Sequence, residues 1–208
     1  MKKNTHSQNL WLQRKKKDNY FIAAKKEGYR SRAAYKLLEI NKKYNLIKKN
    51  INVIDLGASP GGWSQVLSHI LSNSKSKIYA VDQNNIEPIE NVKFIKKKIE
   101  DLDDQFLKNG TLHNISLIVS DLAPNSTGHK FTDQARSEIL CYKVLAFSKK
   151  CLLKNGNLVC KFLRGEGERK FIEEAKKNFS KVEFFKPQSS RNISKEIYVI
   201  CISFNNLQ

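Results

Sequence analysis

A chain of 208 residues is long enough to bury a substantial core within one α/β domain. Its 40% hydrophobic and 10% aromatic content excludes wholesale disorder, and no apolar run approaches the roughly 20 residues that a membrane-spanning helix needs. The net charge of +18 gathers at the front, where residues 1–49 hold 15 Lys/Arg against 3 Asp/Glu; that footprint suits a polyphosphate partner, whose condensed counterions are released by basic contacts.

The first stretch, "MKKNTHSQNLWLQRKKK", is basic but lacks the apolar centre of a signal peptide. Residues 1–30 read as a partly helical basic extension and 31–208 as a single domain. "SRAAYKLLEINKKYNLI" has a helix-start residue at Ser31 and apolar Ala33, Leu37, Ile40 and Tyr44 at helical spacing. Arg32, Lys36 and Lys43 fall together on a different face. Beyond it, β-branched apolar runs alternate with helical patterns. Strands are predicted at 51–55, 77–81, 92–95, 115–120, 156–162, 181–185 and 196–203, and helices at 62–72, about 101–108, 132–153 and 167–178. Such alternation implies a mostly parallel sheet covered on both faces. No helix separates the last two strands, so they should pair antiparallel. The expected fold is therefore α/β, a doubly wound seven-stranded sheet with an antiparallel last strand, and ligands of such sheets sit beyond the carboxyl ends of the strands.

Cys141, Cys151, Cys160 and Cys201 show no C-x-x-C spacing and no nearby histidine, and read as buried thiols of a reducing, cytoplasmic compartment. His6, His69, His113 and His129 are scattered, so no metal centre is expected.

The most informative stretch is "INVIDLGASPGGWSQVL", a strand, a turn holding Gly57, Pro60, Gly61 and Gly62, and an amphipathic helix. The dinucleotide pattern G-x-G-x-x-G fails at Ser59. A P-loop nearly fits from Gly57 to Ser64, but Trp63 stands where the phosphate-binding lysine must be. Asp55, just before the turn, disfavours an anion and suits a cation. Asp82, 20 residues beyond Gly62 and directly after the second strand, is where a ribose-binding carboxylate belongs. A nucleoside with a cationic end meets these demands, and S-adenosylmethionine is one.

"DLGASPGGWSQVL" resembles the cofactor motif of the FtsJ/RlmE family of ribosomal RNA ribose 2′-O-methyltransferases. The likeness continues through "YRSRAAYKLLEI", "SDLAPN", "VCKFLRGEG" and "KPQSSRNISKEIYVI", five blocks in order over residues 28–204. The resemblance implies a Rossmann-like methyltransferase fold that uses S-adenosylmethionine and releases S-adenosylhomocysteine. It implies cofactor contacts at Gly57, at Gly61 and Trp63 for the methionine part, at Asp82 for the ribose and at Asp121 near the sulfonium. Trp63 as a core aromatic and Asp82 as a solvated loop acid are the structural alternatives. One position departs: Lys98 stands where the family has a carboxylate for the adenine amino group, and a lysine cannot accept that hydrogen bond. Either the backbone of Lys98 or the nearby Glu100 would substitute.

The same resemblance implies a catalytic tetrad of Lys36, Asp121, Lys161 and Glu196. The residues support it independently: Asp121 follows "ISLIVS" at a strand end, and Lys161 sits in the apolar "NLVCKFL", an awkward place for an ammonium. Glu196 opens the terminal strand, and Lys36 comes from the basic helix. Lys161 is expected to orient the acceptor oxygen and stabilise the developing alkoxide rather than abstract the proton outright. Arg30, Arg32, Lys42, Lys43 and the cluster 14–17 suggest a phosphate-binding arm, and Ser189, Ser190 and Arg191 a holder for the target nucleotide. A target hydroxyl found in RNA but not DNA sets the substrate class. The bacterial-type branch implies a uridine of large-subunit rRNA in the ribosomal particle, and a monomer with no membrane contact. The alternatives are a tRNA anticodon loop or cap RNA, or a non-catalytic assembly factor on the same fold.

Overall fold

The computed structural model describes residues 18–110, 112 and 114–205; the basic cluster 14–17 lies outside them. Seven strands, β1 (Asn52–Leu56), β2 (Ile78–Asp82), β3 (Val92–Lys96), β4 (Ile115–Ser120), β5 (Leu152–Leu163), β6 (Phe179–Phe185) and β7 (Glu196–Phe204), lie in the order β3-β2-β1-β4-β5-β7-β6. Strands β1 to β5 pair in parallel, and β7 inserts antiparallel between β5 and β6. The helices are α1 (Asn19–Lys26), α2 (Ala33–Tyr44), α3 (Gly62–Ile70), α4 (Asp104–Lys108), α5 (Lys130–Cys151) and α6 (Glu168–Lys176).

Alternate residues of the central strands feed two apolar layers. Ile54, Ile118, Phe162, Ile197 and Val199 face Cys141, Val144 and Phe147 of α5 and Phe171 of α6. Val53, Val119, Val159, Tyr198 and Ile200 face Leu37 and Ile40 of α2 and Trp63 and Val66 of α3. Strands buried on both faces are apolar throughout, which is why the sequence reads as unbroken runs and not as alternation.

Two local readings are corrected. Helix α2 starts at Ala33, and the residue before it, Arg32, is already in helical backbone with no side-chain cap. Ser31 packs its hydroxyl against the start of α3 instead, where a Cβ on Gly62 would collide with Ser31 Oγ. Helix α5 ends at Cys151 and β5 begins on the next residue, although helix was expected to 153 and strand only from 156. Leu152 turns extended (φ −71, ψ 134) with no Gly or Pro to announce it. The residues after it bulge out of register, so that Ile115 pairs with Leu152 but Leu117 with Asn157. Residues 18–30 are docked: Asp18 caps α1 and pairs with both Arg32 and Arg191, Ala24 is buried, and the Tyr20 and Tyr35 rings lie 5.4 Å apart.

Candidate active site

The turn after β1 is built for close backbone approach. Gly57 has φ +78, and a Cβ there would lie 3.0 Å from the Leu122 Cα, in the segment that follows β4. The ends of β1, β2 and β4, with α5, wall a cavity of about 800 Å³, inside the usual range for small-molecule sites. Its lining includes Gly57, Ser59, Asp82, Lys98, Asp121 and Arg136. Asp82 is held by backbone donors, its Oδ2 taking the Ser59 N–H at 3.0 Å and its Oδ1 the Asn84 N–H at 2.8 Å.

At the rim of this cavity four charged side chains from four elements come together. Asp121, the residue after β4, is fixed by its N–H donating to the Leu56 carbonyl at 3.2 Å. Lys161 of β5 donates to Asp121 Oδ1 and to its carbonyl oxygen, both at 3.0 Å. Tyr198, opposite Lys161 in the β5–β7 ladder, donates its hydroxyl to the same Oδ1 at 2.7 Å. Lys36 of α2 pairs with Glu196 Oε1 at 2.6 Å and lies 5.9 Å from the Tyr198 ring centre. Ser190 Oγ completes the Glu196 side with a 2.9 Å hydrogen bond. Two cation–carboxylate pairs therefore flank one buried tyrosine.

Burial alone would raise the Asp121 carboxyl, but Lys161 and Lys36, with the Tyr198 and Lys161 hydrogen bonds, outweigh it and hold it below the usual carboxylate range. Burial likewise lowers Lys161, yet Asp121 and Glu196 more than restore it, leaving its ammonium harder to deprotonate than a free lysine. Each shift stabilises the fold at neutral pH. Asp121's share is present above the unfolded value of 3.8 and lost as pH falls through its lower folded pKa. Lys161's share is present below 10.5 and lost as pH rises through its higher folded pKa.

Several side chains stand elsewhere than the sequence suggested. Trp63 is 2% exposed, its Nε1 donates to the Ala33 carbonyl at 2.7 Å, and its ring lies 5.5 Å from that of Tyr198. The indole is thus a core group that seats α2 and Tyr198, so only the main chain of Trp63 remains to meet a ligand. Gly61 (φ +115) is roofed by Arg30 and Ile89, and Arg30 spends its guanidinium on the Glu87 and Pro88 carbonyls at 2.7 and 2.9 Å. Arg32 pairs with Asp18 and the Ser189 carbonyl. Neither arginine has the free head expected of a phosphate-binding arm. Lys98 does line the cavity, but its N–H donates to Asp101 Oδ2 at 3.2 Å, while Glu100, also on the wall, meets Lys143 at 2.5 Å. That hydrogen bond leads the causes that hold Glu100 below the usual range. Tyr198 is a site residue that the sequence motifs do not single out. Its one signal is its place two residues after Glu196, hence on the same sheet face.

Asp55 does not face the cavity as a cation's partner. It is fully buried behind the turn, where its Oδ2 accepts the Ser64 hydroxyl at 2.6 Å and its Oδ1 has no hydrogen-bond partner among the described residues. Burial, with Asp121 and Asp82 adding to it against the Ser64 hydrogen bond, pushes this carboxyl up from 3.8 to about 7. The folded chain then keeps a proton that the unfolded chain has lost, so stability is highest below the unfolded pKa and falls as pH rises toward 7. The drop is on the order of 4 kcal/mol at 1.36 kcal/mol per unit. Urea unfolding should show about 2.5 kcal/mol of this loss between pH 5 and pH 8, the rest having fallen below pH 5, and Asp55→Asn should lack it; an equal change in the two would contradict it.

The family model described as FtsJ-like methyltransferase matches residues 29–204. The chain is 43% identical over 211 residues to the Rickettsia bellii protein named Ribosomal RNA large subunit methyltransferase E, covering 97% of this chain and 91% of that protein. A Neorickettsia sennetsu protein of the same name is 44% identical over 199 residues, covering 95% of this chain and 93% of its own. Among solved structures, a Plasmodium falciparum protein named as a ribosomal RNA methyltransferase superposes with a TM-score of 0.76 at 34% identity, over 85% of this chain and 98% of that one.

Proposed function

Because this chain belongs to the FtsJ-like methyltransferase family, we propose that it transfers a methyl group from S-adenosylmethionine to a ribose 2′-hydroxyl of RNA, a uridine of large-subunit rRNA in particular. The observation that carries the reading is the double pair, Lys36 with Glu196 and Lys161 with Asp121, at the rim of a cavity bounded by the glycine turn and Asp82. The residues fit the donor: Asp82 and Asp121 give the cavity two carboxylates for ribose hydroxyls and a sulfonium, and the turn admits backbone contact.

The donor supplies an already strong electrophile, so the protein's share of the work is positioning. Lys161, kept as an ammonium by Asp121 and Glu196, directs its remaining hydrogen at one lone pair of the acceptor oxygen and so aims the other at the methyl carbon. Tyr198 and Lys161 together hold Asp121 in one rotamer. Lys36 and Ser190 do the same for Glu196. The acceptor's proton becomes strongly acidic as the new C–O bond forms, and it leaves to solvent at that stage.

Lys98 moves the adenine contact to a neighbour, and Glu100, ionised on the cavity wall, is the acceptor that suits an amino group. Glu100→Ala should weaken S-adenosylhomocysteine binding about fivefold in isothermal titration, the weight of one hydrogen bond, whereas Lys98→Ala should leave it unchanged. The reverse ranking would reassign the contact.

The function itself is tested by tritium transfer from labelled S-adenosylmethionine to large ribosomal subunits, free rRNA, tRNA and capped RNA, followed by mapping of the labelled nucleotide. Label at a ribose of large-subunit rRNA is expected. Label confined to tRNA or cap would move the substrate, and cofactor binding without transfer to any RNA would leave an assembly factor.

A further inference from the structure

The rim of the cavity has a second side. Successive residues of β7 face opposite layers: Tyr198 belongs to the α2–α3 layer, while Ile197 and Val199 belong to the α5–α6 layer. Glu196, in step with Tyr198, therefore meets Lys36 of α2. Lys195, out of step, falls on the side of α5. Its carbonyl accepts the Arg164 N–H at 2.9 Å, extending the β5–β7 ladder one residue beyond the Leu163–Glu196 pair. Lys130, the first residue of α5, stands one turn before Gln134 on the same helix face and so comes to the same junction, where the like charge of its ammonium acts on that of Lys195. Neither lysine forms an ion pair among the described residues.

The junction is held from both ends. Gln134 of α5 donates to the Arg164 carbonyl, so the start of α5 is pinned to the exit of β5. Glu168 is the acid whose charge acts on Lys195, but its Oε1 accepts the Gly165 N–H at 3.0 Å and stays with its own turn. Two cations at one junction, neither paired with a carboxylate among the described residues, form a place for an anion. The apolar groups beside them are bare: Phe131 is 75% exposed and Ile193 is 89% exposed. A soluble fold gains nothing from an aromatic ring in that position, whereas an unstacked base would cover it.

We propose that Lys130 and Lys195 together hold a backbone phosphate of the RNA beside the methylated ribose, and that Phe131 stacks on an adjoining base. The target strand then crosses the sheet edge over Lys161, with the Lys36–Glu196 pair on one side of it and the lysine pair on the other. This extends the RNA reading above and rests on it. Arg30 and Arg32, two of the cations the sequence offered for phosphate, are spent inside the protein, whereas Lys130 and Lys195 were given no role by the sequence.

The test is the double variant Lys130→Ala/Lys195→Ala and, separately, Phe131→Ala, assayed for methyl transfer to RNA over a range of salt, with S-adenosylhomocysteine titration as a check on the cofactor site. The double variant should raise KM for RNA about tenfold, with kcat affected far less. It should also flatten the log–log dependence of RNA binding on salt by about 0.7, because one phosphate is no longer neutralised. Phe131→Ala should raise KM about fivefold or more with no change in salt slope. Cofactor affinity should hold in all of them, and Lys130→Arg/Lys195→Arg should retain most RNA affinity. If the native chain methylates RNA while the variants match it in KM and salt slope, the phosphate site is wrong and the function stands. If the native chain neither binds nor methylates any RNA, the function falls and takes the site with it.

Discussion

Lys161→Ala is expected to lower the methyl-transfer rate by roughly 10²-fold or more, the cost of a misplaced reacting oxygen, while S-adenosylhomocysteine still binds. The cavity wall does not include the Lys161 side chain, so the loss belongs in kcat and not in cofactor affinity. The variant also leaves Asp121 with one fewer cation in a nearly buried setting, and breaking such a pair costs about 3–5 kcal/mol of stability. Thermal unfolding must therefore accompany the assay, and cofactor binding shows that the molecules counted are folded. Lys161→Met, which keeps the stem and removes only the charge, separates lost packing from lost charge. A folded, cofactor-binding Lys161→Met with near-native turnover would remove Lys161 from the chemistry.

Asp121→Asn is expected to be comparably severe and to change the pH profile as well. Asparagine still accepts the Tyr198 hydroxyl, but the carboxylate that leads the forces raising Lys161 is gone. Burial, the largest influence on that lysine, then prevails and its pKa drops. If the ammonium is the working form, residual activity of Asp121→Asn should decline with rising pH well before the native enzyme's does. An activity that climbs over the same range would instead make neutral Lys161 a general base. S-adenosylhomocysteine should also bind more weakly, since Asp121 lines the cavity.

What could be read in advance divides along the range of the interactions involved. The strand–turn–helix from Ile51 to Leu67 was legible because each signal is local: an apolar strand, glycines where φ must be positive, then a helical period. The end of α5 was not, because Cys151 and Leu152 differ in backbone with nothing in their side chains to mark it. Pairing with β4 makes the difference. Trp63 shows the limit most clearly. Its place where the glycine turn enters α3 suggested a ligand contact ahead of a core ring, and only the packing of α2 over α3 directs the indole inward to Ala33 and Tyr198.

The sequence by itself determined the order of elements and the glycine turn, since these follow from chain-local periodicity, and its resemblance to the FtsJ/RlmE family pointed to the four charged residues. Tertiary structure alone decided which cations are free. Arg30 and Arg32 look available in sequence and are consumed by Glu87, Pro88 and Asp18, whereas Lys130 and Lys195 look ordinary and are brought to one junction at Arg164. A side chain's partners come from segments far away in the chain, and their approach is set by how the two layers close on the sheet.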